Sequence, residues 1–318
     1  MHKLDKSKFH ILNLNPCYDH WVVLEDEPKI PEVVRGDRSL KVVDGKGLNI
    51  ARVFETLGER NYNTVNITGG NVGELIKKET EAAGLNATYF DISENNRINT
   101  AVVHEYKQEM QMVNEPGPKL KPEESRGIND FLKDYLDANG GTLVISGSAP
   151  RGYGPEDFAE IVAYAQDIGY HVEMDISKRW LERLIDSKPD VLKINFDEFE
   201  LAFGSDPADG GAVEEFRRNK GIETLILTDG RRGSYALAGG KLYRARPGEV
   251  YNNFNVGSGD SYFGGWLYAE ARGQDLPERM RTATACGVAN TLNYGPAFFS
   301  YEEFSRELDK VILTEGEI

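Results

Sequence analysis

The sequence predicts an α/β protein built on an open, mostly parallel sheet, and three observations predict it. Short apolar runs alternate with amphipathic helical stretches over most of the 318 residues. Those runs are continuous, as in strands buried on both faces. The notable polar residues fall where the runs end, which is the edge at which open α/β sheets take up ligands.

In chain order, FHILNLN (9–15) reads as the first strand. GLNIARVFETLG (47–58) reads as a helix, with Ile50, Val53, Phe54 and Leu57 on one face and Gly58 at its stop. NTVNIT (63–68) is a strand, and VGELIKKETEAAG (72–84) is a helix ending at Gly84. Later strands are 142–147, 170–175, 190–195 and 224–230, with helices at 155–168, 197–203 and 209–220. Two stretches, 17–44 and 97–115, break this rhythm. Segments such as INTAVVHEY and MQMVNE alternate apolar and polar residues without a helix, and read as antiparallel strands. With no repeat, low-complexity segment or obvious linker, residues 1–318 read as one domain carrying a small β insertion.

Composition narrows the function classes. The chain is 40% hydrophobic and 28% charged, enough for a substantial core. No apolar run approaches the roughly 20 residues that span a bilayer. MHKLDKSKFH is not followed by a signal-type apolar region, so the expectation is a soluble cytoplasmic protein without membrane partners. Cys17 and Cys286 are too few for a disulfide framework or a zinc site. A net charge of −15 argues against nucleic acid as a partner. It leaves room for a small anionic substrate at a local site, with a divalent metal to neutralise charge.

The most informative segment is NFNVGSGDSYFGGW (253–266). Gly257-Ser258-Gly259 is a glycine turn that opens a helix, so its N–H groups and the helix dipole favour an anion. Asp260 beside that anion site suits a general base next to a phosphoryl group in transfer. Read alone, the same residues also fit an ordinary strand-to-helix turn. Asn15, Asp19, Ser146, Asp175, Asn195, Glu198, Thr228 and Gly230 share its placement at strand ends.

Taken together and in order, these positions resemble the pfkB (ribokinase-like) carbohydrate kinase family, in particular its phosphosugar branch. LNPCYD (14–19) resembles the branch's LNPxxD, and DGKGLNIARVFETLG (44–58) its GGKGxNVAR. NRIN (96–99), NEPGP (114–118), SGSAP (146–150), KINFDEFEL (193–201) and LTDGRRGS (227–234) match further blocks, and NVGSGDS (255–261) the GAGD turn. The resemblance implies a three-layer sandwich around a mostly parallel sheet, with a small β-sheet lid formed by the two insertions. It implies that Asp260 is the catalytic base and that Gly257, Ser258 and Gly259 form the anion hole. Asp19, Gly45, Lys46, Asn49 and Asn99 would bind the sugar, Arg97 its phosphate, with Ser146 assisting. Lys193, Asn195, Thr228, Gly230, Gly233 and Asn290 would serve ATP, and Asn195 and Glu198 would organise Mg²⁺ indirectly. Asn195 and Glu198 also fit a helix capping box, and the two roles can coexist. A homodimer through the lid is also implied.

The implied reaction is ATP- and Mg²⁺-dependent phosphorylation of a primary hydroxyl on a ketohexose monophosphate. Tagatose 6-phosphate and fructose 1-phosphate both remain open. Departures from the pattern are Asp44 before GKG, Phe254-Asn255 before the turn, and Ile194 within KIN. They leave room for a catalytically impaired sugar-phosphate or nucleotide sensor, and a kinase of a nucleoside or an unphosphorylated sugar is a third reading.

Overall fold

The computed structural model describes residues 7–28, 33–176, 178–248 and 255–317. Phe254, one of the departures above, lies outside the described residues.

The strands and helices read from the sequence are present, and several that it left unassigned join them. They are β1 (Phe9–Asn13), β2 (Cys17–Leu24), β3 (Arg38–Asp44), α1 (Lys46–Leu57), β4 (Tyr62–Gly69), α2 (Gly70–Ala82), β5 (Ala87–Ile92), β6 (Arg97–His104) and β7 (Glu109–Asn114). Then come α3 (Pro122–Asp137), β8 (Thr142–Ser146), α4 (Pro155–Asp167), β9 (His171–Asp175), α5 (Lys178–Leu184), β10 (Val191–Asn195), α6 (Phe196–Phe203), α7 (Gly210–Lys220) and β11 (Thr224–Thr228). The chain closes with β12 (Ser234–Ala238), β13 (Lys241–Arg246), α8 (Ser258–Ala271), α9 (Leu276–Asn290), α10 (Tyr301–Leu308) and β14 (Ile312–Glu317). Gly58 caps α1 in the left-handed conformation, as its position predicts.

The main sheet has ten strands in the order β14-β13-β12-β11-β10-β9-β8-β1-β4-β5. From β11 to β5 every pairing is parallel, and β12, β13 and β14 extend one edge antiparallel. Successive strand residues feed opposite layers. Leu143 and Ile145 pack with α3 to α7, whereas Val144 packs with α1, α8 and α9. A ten-stranded sheet buried on both sides by helices is the three-layer arrangement expected.

The two insertions form a separate four-stranded sheet in the order β3-β2-β6-β7. One expectation needs correcting. β2 pairs antiparallel with β3, and β6 with β7, but β2 and β6 run parallel. A parallel pair needs a long crossover, and here α1, β4, α2 and β5 supply it. Trp21, Val23, Val42, Ala101 and Val103 form this sheet's own apolar cluster. No helix among the described residues is long and apolar enough to cross a membrane.

Candidate active site

Three neighbouring strands end in register, with Ser146 opposite Asp175 and Asp175 opposite Lys193. The buried Asp175 carboxylate accepts from Lys193 Nζ at 3.0 Å and from Lys46 Nζ at 3.2 Å. Burial works against charge on Asp175, but Lys193 and Lys46 outweigh it and hold the carboxyl below its usual range. Burial likewise works against charge on Lys46, yet Asp175 and then Asp260 push its pKa above the usual lysine value. Lys46 opens α1 because Gly45 turns the chain at φ 141°, where a Cβ would lie 2.5 Å from Asn13 Oδ1.

Asp260 sits in the first turn of α8, behind Gly257 at φ 80°. A Cβ on Gly257 would also strike Pro296, at 2.6 Å. Asn49 Nδ2 donates to Asp260 Oδ2 at 2.8 Å, and Lys46 Nζ lies 3.8 Å from Oδ1. Burial raises the Asp260 pKa, with Asp175 and Asp44 adding to it and Lys46 and Asn49 opposing. A raised carboxyl is a better proton acceptor near neutral pH. The N–H groups of Gly259 and Asp260 have no protein acceptor among the described residues, as expected of a helix's first turn. Lys193 Nζ would lie 3.5 Å from a Cβ on Gly259. A base, free N–H donors and two ammonium groups therefore converge on one point, where they can take a proton and stabilise negative charge.

To one side of that point lies a cavity of about 700 Å³. Asn195, Asp197, Thr228, Gly230, Gly233, Ser258, Gly259 and Thr284 are among its lining residues. Gly233 must be glycine, since φ is 102° and a Cβ would lie 2.1 Å from Ala245 O. Thr284 Oγ1 is buried without a hydrogen-bond partner. Asn195 Oδ1 accepts from Glu198 N at 2.7 Å and Glu198 Oε2 from Asn195 N at 3.2 Å, so the capping box is formed.

To the other side, β2 places Asp19 beside Asn99 of β6, whose Nδ2 donates to Asp19 Oδ1 at 2.9 Å. Cys17 Sγ lies 3.3 Å from the same oxygen and 3.8 Å from Asp44 Oδ2. Burial, and then the Asp44 charge, push the Asp19 carboxyl up to about 7. Asp44 does not pair with Lys46; the cation behind it is Arg52, buried in α1 and donating to Asn49 Oδ1 at 2.8 Å. Arg97 opens β6 and donates to Asn15 O at 3.3 Å, next to Gly117, while Asn15 Nδ2 donates to Ser148 Oγ at 3.1 Å. Four motifs far apart in sequence thus meet. Arg97 forms no ion pair among the described residues. Asn15 Oδ1, Asp19 Oδ2, Asp44 Oδ1, Arg97 Nε, Asn99 Oδ1 and Ser146 Oγ are all buried without hydrogen-bond partners.

Three residues expected at ATP or its metal, Asn290, Lys193 and Glu198, do not line the cavity. Asn290 is fully buried and does not line the cavity. Its Nδ2 donates to Val256 O (2.9 Å) and Ser258 Oγ (3.0 Å), and its Oδ1 accepts from Ala297 N (2.6 Å). It holds the glycine turn in place rather than facing a base. Lys193 also lies off the cavity wall, turned inward onto Asp175. Asp175, Arg52, Thr284 and Asp197 were not among the expected site residues. Asp175 was legible as a polar strand end, but the others carry no signal in a single sequence. Asn255 accepts from Ser258 N at 3.0 Å, closing the turn.

Residues 12–303 match the family model for pfkB family carbohydrate kinases. A tagatose-6-phosphate kinase of Staphylococcus epidermidis (strain RP62A) is 28% identical over 311 residues, covering 96% of this chain and 98% of the relative. Phosphofructokinase-2 from Escherichia coli, solved with substrates and products, superposes with a TM-score of 0.87 at 23% identity, covering 95% and 98% of the two chains. A tetrameric inhibited form of the same protein gives a TM-score of 0.84 at 22% identity over the same shares.

Proposed function

The chain belongs to the pfkB family of carbohydrate kinases, and from that premise we propose that it phosphorylates a primary hydroxyl of a ketohexose monophosphate at the expense of ATP. The carrying observation is Asp260. Its carboxylate is oriented by Asn49 and tuned by Lys46, and it stands between the 700 Å³ cavity and the cluster of unpartnered polar atoms around Asp19.

Asp260 takes the proton from the attacking hydroxyl. The free N–H groups of Gly259 and Asp260, with Lys46 close by, stabilise charge on the phosphoryl group in transfer. The nucleotide lies in the large cavity along Thr228, Gly230 and Gly233. Asn195 and Asp197 line the cavity as oxygen donors, with Glu198 bonded to Asn195 behind them, and the set fits Mg²⁺, held through its waters. When bound, the ion neutralises the phosphates. Asp19, Asn99 and Asn49 address sugar hydroxyls, and Arg97, with no carboxylate partner, addresses the phosphate already on the sugar. A guanidinium that meets no carboxylate among the described residues favours a phosphosugar over a nucleoside or a free sugar.

Between the candidate sugars, tagatose 6-phosphate has the support of the Staphylococcus relative, and fructose 1-phosphate presents the same end groups. The four-stranded sheet serves as a lid over the sugar. Its outer face, with Val22 beside Val102, pairs with a second copy; a monomer by light scattering would remove that part of the proposal.

The test is ADP release with Mg²⁺-ATP and a panel of tagatose 6-phosphate, fructose 1-phosphate, fructose 6-phosphate, free fructose and ribose. Turnover on one phosphosugar, lost in Asp260→Asn, is the expected result. ATP binding without turnover on any member favours the sensor reading instead.

A further inference from the structure

The far ends of β9 and α8 hold a second polar cluster, remote from the catalytic point. His171, Glu173 and Asp175 project from one face of β9, toward α8 and α9, because alternate strand residues share a face. Asp175 belongs to the site above. At the other end, one ligand-type atom each from His171, Glu173 and Glu270 lies within 4.8 Å of the others. Glu270 stands ten residues along α8 from Asp260, roughly 15 Å at the helical rise.

Each of the three side chains is held from outside the cluster through one polar atom. His171 Nδ1 lies 3.3 Å from Asp190 Oδ2. Glu173 Oε2 accepts from Trp266 Nε1 at 3.1 Å. Glu270 Oε1 is 3.1 Å from the Arg279 guanidinium. The remaining carboxylate oxygens, Glu173 Oε1 and Glu270 Oε2, are buried without hydrogen-bond partners. Glu173 has no exposed surface at all, so this oxygen faces only the cluster, with His171 Nε2 beside it. A carboxylate behind the imidazole and donors behind the carboxylates are the supports that orient metal ligands.

The spacing agrees. His171 Nε2 is 3.5 Å from Glu173 Oε1 and 3.9 Å from Glu270 Oε1. Tetrahedral ligands at 2.0–2.1 Å from a metal are about 3.3 Å apart, so His171 and Glu173 nearly match and Glu270 has to move in by about half an ångström or more. One imidazole and two carboxylates suit a first-row divalent ion such as Zn²⁺ better than Mg²⁺ or Ca²⁺. His171 and Glu270 keep slight exposure, 7% and 13% of their side chains, which gives an entry path and room for a water as fourth ligand.

We propose that His171, Glu173 and Glu270 form a structural site for a zinc-type divalent ion that ties the C-terminal end of α8 to the start of β9. The site is independent of sugar or ATP binding, so its test does not rest on kinase activity. Full-length protein is dialysed against EDTA and then titrated with Zn²⁺, reading the melting temperature, and with Co²⁺, reading the visible absorption of a low-coordinate complex.

The expected result is a rise in Tm of about 5 °C at a hundredfold excess over Kd, with a Co²⁺ spectrum. Both are lost in Glu270→Gln and His171→Gln. Both are kept in Cys17→Ser, which removes a ligand from the other cluster of metal-ligating type, Cys17, Asp19 and Asp44. Circular dichroism checks that the variants fold. If His171→Gln does not, the near-isosteric Glu270→Gln decides. No rise in the wild type, a rise that survives Glu270→Gln, or one that vanishes in Cys17→Ser would overturn the proposal.

Discussion

On one side of Asp260 the cavity wall mixes glycines with side chains that are exposed or already paired, such as Asp197 and the Asp229–Arg232 ion pair. Gly230 and Gly233 shape the large cavity there, and Thr284 Oγ1 is its one lining side-chain oxygen that is buried without a partner. On the other side, six buried polar side-chain atoms, from Asn15, Asp19, Asp44, Arg97, Asn99 and Ser146, wait for partners. A wall with one unsatisfied atom accepts a ligand mainly by shape and charge. A wall of unsatisfied side chains penalises any ligand that fails to satisfy them, and so discriminates more sharply. On the proposed reading, substrate choice therefore resides on the second side, and the departures Asp44 and Asn255 fall one on each.

The largest effect expected is on the boundary itself. Asp260→Asn should lower kcat by about 10²–10⁴-fold, the usual worth of a positioned base, with both KM values little changed in steady-state kinetics. A kcat within threefold of wild type would mean that the two sides do not meet at Asp260.

Next comes Arg97→Ala. Losing a charge-assisted contact of about 1.5–3 kcal/mol should raise KM for the phosphosugar by about 10–100-fold and leave KM for ATP unchanged. A rise in both would erase the distinction between the sides, and a rise in neither would point to an unphosphorylated substrate.

The third effect is a pH dependence belonging to the side-chain wall alone. The folded Asp19 pKa is about 7, above the ordinary 3.8. Between those values the folded state binds more protons than the unfolded one, so Asp19 costs stability as pH rises through that window. Without ligand, Asp19→Asn should gain Tm relative to wild type from about pH 4 to 7 and level off above. A constant difference would show that Asp19 titrates normally. Asp175, with its pKa held down, acts in the opposite sense: its contribution is present above the ordinary aspartate value and is lost as pH falls through the lower folded one.

Smallest is Thr284→Val, which removes one neutral hydrogen-bonding group worth about 0.5–1.5 kcal/mol. It should raise KM for ATP a few-fold and leave the sugar alone; a larger effect on the sugar would place Thr284 on the wrong side.

The central strands of the main sheet were legible because they are buried on both faces and end in polar residues, as VLKIN and TLILT do, whereas the outer strands β5, β12, β13 and β14 were not. Helix α3 was passed over although Ile128, Leu132 and Leu136 recur at helical spacing behind Pro122. The parallel pairing of β2 with β6 was not legible, because alternation fixes which face is buried but not which strand lies alongside. Within the site, glycines and charged residues in motifs could be read. The support of Asn49 by Arg52 and the use of Asn290 as a bracket could not, since both depend on neighbours distant in sequence.

That parallel pairing bears on how the protein assembles. Asp19 and Asn99 are 80 residues apart, so the small sheet cannot close before the segment between them has collapsed, and non-local contacts of this kind form slowly. The three tryptophans happen to report each region separately: Trp180 in one core, Trp266 in the other, Trp21 in the small sheet. In single-tryptophan variants refolded by stopped flow, the fluorescence of Trp21 should be the last to reach its native value, so that the surface chosen for substrate recognition is also the last to exist.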